Sequence, residues 1–124
     1  MLSSYSGEFG LVCRSSYCAS KFAVNGFFES LKQELGETID ITMICPITVE
    51  TEFRSGSLIK PKAAATEAHA GSKVTVDDAV DQIIKAADRR DEKLIWPTLP
   101  SLMVKLKNFM PKTTSNLVNA RAKL

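Results

Sequence analysis

Histidine and cysteine are scarce in this 124-residue chain. His69 stands alone, and Cys13, Cys18 and Cys45 are odd in number and show no metal-ligand spacing. That excludes a paired-cysteine zinc site and a disulfide framework, and it reads as free thiols in a reducing compartment. Cys45 lies in an apolar run, where packing is the expected role. No stretch reaches the roughly 18 consecutive apolar residues of a membrane span. The start, Met1-Leu2-Ser3-Ser4-Tyr5, lacks both the basic region and the long apolar core of a secretory signal. The expected location is therefore cytoplasmic, or peripheral on an intracellular membrane. The six glycines are scattered, without the close spacing that lets backbone amides cradle a phosphate. With a net charge of +2, nucleic acid is not an expected partner.

Acid is also missing from one end. Residues 1–96 carry 11 Lys or Arg against 14 Asp or Glu, whereas residues 97–124 carry five bases and no acid, which together give the +2. The chain therefore divides into a mildly acidic body, 1–97, and a basic amphipathic helical tail, 98–124.

What is there follows a strand–helix–strand order. Met1 to Ser4 reads as the end of a strand whose earlier apolar residues are not in the chain, so a fragment, or a start at an internal methionine, is expected. Gly7 and Gly10 permit the turn away from it. Ser15 and Ser16 are candidate caps of a helix in which Val24, Phe27, Phe28, Leu31 and Leu35 form an apolar stripe. Gly36 stands at its C-cap position, and Gly26 inside it reads either as close backbone packing or as simple tolerance. Ile39 to Cys45, ended by Pro46, reads as a buried strand, and the order of elements implies a parallel sheet.

Residues 52–74 lack a period and contain Gly56, Pro61, Gly71 and Ala63-Ala64-Ala65, which predicts a long loop of the functional kind, with His69 exposed on it. Thr75 begins a second helix, with early acids, late Lys85, Arg89 and Arg90, and a buried face of Ala79, Val80, Ile83, Ile84 and Ala87. Lys93 to Trp96, before Pro97, predicts a last short strand. In the tail, Leu102, Leu106, Phe109 and Met110 share one helical face opposite Lys105 and Lys107. Pro111 then breaks the helix, and Thr113 to Lys123 offers a further short one.

The chemistry concentrates at the first helix. Tyr17 and Lys21 are four residues apart, so they lie on one face, one turn from each other. A phenol is a poor base at neutral pH, and a fixed cation beside it favours the phenolate and makes proton transfer useful. Ser4 stands thirteen residues before Tyr17, and Pro46-Ile47-Thr48-Val49-Glu50-Thr51 begins twenty-five residues after Lys21.

In this order and spacing the chain resembles the short-chain dehydrogenase/reductases. The wording Tyr17-Cys18-Ala19-Ser20-Lys21-Phe22-Ala23-Val24-Asn25-Gly26-Phe27 is similar to theirs throughout. The resemblance is to the C-terminal half of such a protein. It implies an α/β fold, the C-terminal part of a Rossmann-type parallel sheet flanked by helices, lacking the N-terminal glycine-rich half. It also implies Tyr17 as general acid/base, Lys21 lowering its pKa and binding the nicotinamide ribose, and Ser4 (with Ser3 the adjacent alternative) holding the substrate oxygen. Pro46, Val49 and Thr51 match cofactor-contacting positions. The implied cofactor is NADP or NAD, the substrate a secondary alcohol or ketone, with an apolar, lipid- or steroid-like one suggested by the tail, and the parent a homodimer or tetramer. Residues 52–74 match the segment that covers the substrate.

The family's Pro-Gly is Pro46-Ile47 here, a change that removes a conformation easy for glycine. No glycine-rich turn follows a strand, so the phosphate-binding half is not represented. Two other readings therefore stand beside the oxidoreductase. One is a non-catalytic interaction module built on Phe27, Phe28, Leu31 and Leu35. The other assigns the tail to membrane contact, against a tail folded over the substrate site.

Overall fold

Three short parallel segments form the centre of the computed structural model, which describes residues 1–51 and 73–120. Strand β1 (Met43–Pro46) pairs in parallel with β4 (Lys93–Trp96), residue for residue from Met43 with Lys93 to Pro46 with Trp96. On the other side of β1, Leu2 forms a parallel bridge with Ile44; Ser3 N donates to Ile44 O at 2.8 Å and Ile44 N donates to Met1 O at 2.9 Å. The order Met1–Ser4, β1, β4 is the parallel arrangement that the sequence predicts. Met43, Ile44 and Cys45 fill its core. The strand begins four residues later than the apolar run suggests, because the ladder starts where its partner starts. Met43 N already bonds Glu92 O, and Ile39 is exposed.

Helix α1 (Ser15–Leu35) connects Ser4 to β1. Its N-cap is Arg14, with no side-chain cap bond, so Ser15 and Ser16 are already helical and the expected serine caps are not used. A turn from Leu11 to Arg14 starts the helix earlier: Arg14 N donates to Leu11 O, and Cys18 N to Arg14 O at 2.8 Å. Gly36 does close the helix, in the left-handed region at φ 57°, where glycine carries no Cβ penalty. The inward line runs through buried Cys18 and Asn25, two turns apart. Val24, Phe28, Leu31 and Leu35 flank it half-buried, while Phe27, two positions past Asn25, turns away and is 62% exposed. The predicted stripe is therefore rotated. Gly26 faces open space, so it is tolerated and is not a point of close packing.

A second parallel ladder joins β2 (Thr48–Val49) to β3 (Lys73–Val74). The sequence gives no period for two-residue strands, and both lie in stretches read as loop. The remainder of the predicted loop, with His69, lies outside the described residues. Helix α2 (Val76–Asp88) starts as expected, with Thr75 Oγ1 accepting Asp78 N at 3.1 Å. Its buried residues are Ala79 and Ala86, whereas Val80, Ile84 and Ala87 are exposed. The two small alanines, seven apart, form the inward line, and the larger residues fall beside it.

After β4 the chain makes α3 (Thr98–Leu106) and α4 (Pro111–Asn119). Pro111 occupies the first turn of α4, where its missing N–H costs nothing, so it starts a helix; the preceding one has already ended at Leu106. The predicted two-faced tail is not formed. Leu102, Phe109 and Met110 are exposed, but Lys107 turns inward and donates to Glu8 O at 2.7 Å. Among the described residues, no helix is long and apolar enough to cross a membrane.

Lys93 ties these layers together. Its Nζ lies 2.9 Å from Glu8 Oε1 and 2.6 Å from Glu29 Oε1. Burial works against the ammonium, but the hydrogen bonds to Glu29 and Glu8 more than offset it, and the pKa is raised. A raised pKa makes the charge stabilising below the ordinary lysine range near ~10.4, and that stability is lost as pH rises through the folded value. Lys93→Met is expected to cost about 1–2 kcal/mol, between exposed and buried pairs, and to flatten the alkaline fall in stability. Urea unfolding at neutral and alkaline pH checks both; an unchanged alkaline slope would show that another group carries it.

Candidate active site

Ser4 ends the first parallel segment in extended backbone (φ −162°, ψ 157°) and caps a 3-10 turn, Tyr5–Gly7. Its Oγ accepts the Ser6 N–H at 3.1 Å, which fixes the oxygen and leaves the hydroxyl hydrogen free to donate elsewhere. The alternation of a strand sends Ser3 the other way; its side chain is also buried. The parallel register puts Ser4 at the same end of the sheet as Pro46 and Trp96. That is the carboxyl edge, where open α/β sheets bind their ligands.

The turn that follows Ser4 packs against α1, where a Cβ on Gly7 would stand 2.9 Å from Lys21 O. Tyr17 and Lys21 are both half-buried, and the Lys21 Nζ lies 5.8 Å from the centre of the Tyr17 ring. Among the described residues, neither the Tyr17 hydroxyl nor the Lys21 ammonium is hydrogen-bonded within the protein, so both remain available to an oxygen-rich ligand such as a ribose. The other phenol, Tyr5, is buried under Phe9, and burial followed by the charge of Glu8 pushes its pKa up. Tyr5 is thereby unsuited to exchange protons. Cys45, fully buried, is likewise pushed up to about 11, by burial first and Glu8 second, and is an inert thiol.

What joins the Ser4 turn to the Tyr17 helix is a residue that the sequence reading passes over. Asn25 is 5% exposed, and its Nδ2 donates to Gly7 O at 3.1 Å and to Glu8 Oε1 at 2.9 Å. Gly7 is pressed so closely against α1 that a Cβ there would stand 2.6 Å from Asn25 Nδ2 and 2.9 Å from Lys21 O. Gly7 is thus required for proximity, and not for the turn alone; Gly10 faces open space. The signal was present as the i, i+4, i+8 series Tyr17, Lys21, Asn25, whose third member is a polar residue on the inward line.

Pro46 pairs with Trp96, Val49 pairs with Val74 in the second ladder, and Thr51 is exposed in a bend. Pro46 is the last residue of β1, and Val49 and Thr51 follow beyond its carboxyl end. The residues present suit the ribose and nicotinamide end of a dinucleotide, through an ammonium and a phenol on one face; the described residues include no glycine-rich turn for its phosphates.

The family model for short chain dehydrogenase matches residues 1–62, half of the chain, spanning Ser4, Tyr17, Lys21 and Pro46 to Thr51. The chain belongs to that family. This short-chain dehydrogenase family member is 37% identical over 95 residues to a Dictyostelium discoideum dehydrogenase/reductase SDR family protein 7-like, covering 77% of this chain and 29% of the relative. It is 27% identical over 127 residues to the Xenopus laevis dehydrogenase/reductase SDR family member 7B, covering 99% and 39% respectively. A Xenopus laevis hydroxysteroid 11-beta-dehydrogenase 1-like protein A is 31% identical over 100 residues, covering 78% and 32%. The chain thus spans less than half the length of these relatives. The parallel strands and flanking helices are a part of the family's Rossmann-type α/β fold.

Proposed function

We propose that this chain carries the proton-transfer and nicotinamide-ribose side of an NAD(P)-dependent oxidoreductase interconverting a secondary alcohol and a ketone. The observation that carries the reading is the pairing of Tyr17 with Lys21, neither hydrogen-bonded among the described residues, on the helix against which the turn after Ser4 packs. Tyr17 exchanges the proton with the substrate oxygen, and the Lys21 ammonium donates to the ribose. Ser4, its oxygen held by the Ser6 amide, donates to the substrate oxygen and steadies charge developing there. Pro46, Val49 and Thr51 shape the cofactor loop. NADP or NAD, when bound, supplies or accepts the hydride. The hydroxysteroid dehydrogenase-like relatives support an apolar, steroid-like alcohol or ketone as substrate.

Trp96, paired with Pro46 at the same edge, is a built-in reporter. Titration with NADPH and with NADH is expected to change its fluorescence. Adding cyclohexanone is expected to consume the reduced cofactor in proportion to protein. Absence of consumption with both cofactors would defeat the oxidoreductase reading for this chain.

A further inference from the structure

We propose that α3 and α4 form a clasp on the loop that joins Ser4 to Tyr17, with Lys107 and Asn119 as positioning residues for that site. The functional part of this inference rests on the reading above, in which Ser4 and Tyr17 act on one substrate. Between the 3-10 turn and α1 the chain runs from Glu8 to Arg14 without regular structure, so its backbone groups need partners from outside. Lys107 and Asn119 supply them from about a hundred residues away in sequence.

Lys107 Nζ donates to Glu8 O at 2.7 Å and lies between two aromatic rings, 5.3 Å from the centre of Phe9 and 5.2 Å from that of Phe22. A cation held between two ring faces is fixed in direction as well as position. Phe9 belongs to the loop and Phe22 to α1, one residue past Lys21, so this single ammonium joins the loop to the helix that bears the proposed acid/base pair. Asn119 grips the loop with both ends of its amide: Nδ2 donates to Gly10 O at 3.3 Å, and Oδ1 accepts from Val12 N at 3.2 Å. Within the loop, Leu11 N donates to Cys18 Sγ at 3.4 Å.

The next residue but one shows that the loop is held and not relaxed. Cys13 has φ 58°, in the left-handed region that a residue with a Cβ adopts only when its surroundings require it. Released from Asn119 and Lys107, the loop would leave that conformation, and the approach to Ser4 and Tyr17 would change shape. The proton-exchanging atoms themselves would stay on α1 and on the strand end. A clasp of this kind therefore acts on substrate binding more than on the chemical step.

The cysteines report on it directly. Cys13 is exposed, Cys18 is buried beneath the loop, and Cys45 is buried in the sheet. Iodoacetamide labelling, resolved by peptide mass analysis, should modify Cys18 about tenfold faster in Asn119→Ala and Lys107→Ala, with Cys45 unchanged, as for a local opening. Lys107→Arg, which keeps the cation between the rings, should restore protection. Unchanged Cys18 labelling, or Cys18 and Cys45 rising together as in global loosening, would overturn the clasp. With NADPH and cyclohexanone, KM should rise about fivefold in Asn119→Ala while kcat stays within about twofold. A freed Cys18 with unchanged KM would overturn the positioning role. A wild-type chain that consumes no NADPH defeats the oxidoreductase reading instead, and labelling alone then decides the clasp.

Discussion

Replacing Tyr17 with phenylalanine is expected to lower ketone reduction by about 10²–10⁴-fold, the usual contribution of a positioned acid/base. The change removes one oxygen and nothing else. That oxygen has no hydrogen-bond partner among the described residues, the side chain is half-buried, and phenylalanine and tyrosine have similar helix propensity. Stability should therefore stay within about 0.5 kcal/mol, so thermal unfolding measured beside turnover separates chemistry from folding. Lys21→Met tests the other half of the pair. It removes the ammonium near the ring but keeps much of the stem, and it should weaken both cofactor binding and turnover. If Tyr17→Phe kept wild-type kcat, proton exchange would have to be assigned to another group, and Ser4, with its free hydroxyl hydrogen, would be the first to test.

The legible parts of this molecule are the local ones. Tyr17 and Lys21 could be placed on one face from their spacing because helical geometry depends on neighbours within a turn. Thr75 at its N-cap, Gly36 at a C-cap and the strand Lys93–Trp96 between a charged turn and Pro97 were readable for the same reason. Burial was read less well. Phe27, Val80 and Ile84 are apolar and in phase, yet exposed; Asn25 is polar and buried. Hydropathy identifies side chains that gain from burial, whereas the packing partner decides which ones obtain it, and here Gly7 and Glu8 select Asn25 by offering it a carbonyl and a carboxylate. The pairing of β2 with β3 and the reach of Lys107 and Asn119 to residues 8–12 depend on contacts between distant parts of the chain, for which no period exists. Within the candidate site, the chemical groups were legible and the supports that aim them were not.

Gly7→Ala tests the support of that site most severely. The added methyl would meet Asn25 Nδ2 at 2.6 Å and Lys21 O at 2.9 Å, and these two obstacles differ in kind. The Asn25 amide can rotate, but then Gly7 O loses its donor in a buried place and Glu8 Oε1 is left with Lys93 alone. The Lys21 carbonyl belongs to the helix backbone and cannot move without moving the turn that carries Lys21. Overpacking costs about 1–3 kcal/mol and an orphaned buried polar group a similar amount, so a loss of about 2–4 kcal/mol is expected. For a chain of this length that is a fall in Tm of roughly 10 °C. Gly10→Ala is the control. Its Cβ would face open space and its φ is not in the left-handed region, so it should be neutral within about 0.5 kcal/mol. Asn25→Gly should relieve one of the two obstacles, making the double variant with Gly7→Ala less damaged than the sum of the singles by about 1 kcal/mol or more. Strict additivity would mean that Gly7 and Asn25 do not oppose each other across this contact. The pressing of the Ser4 turn against α1 would then have to come from the Lys21 carbonyl alone.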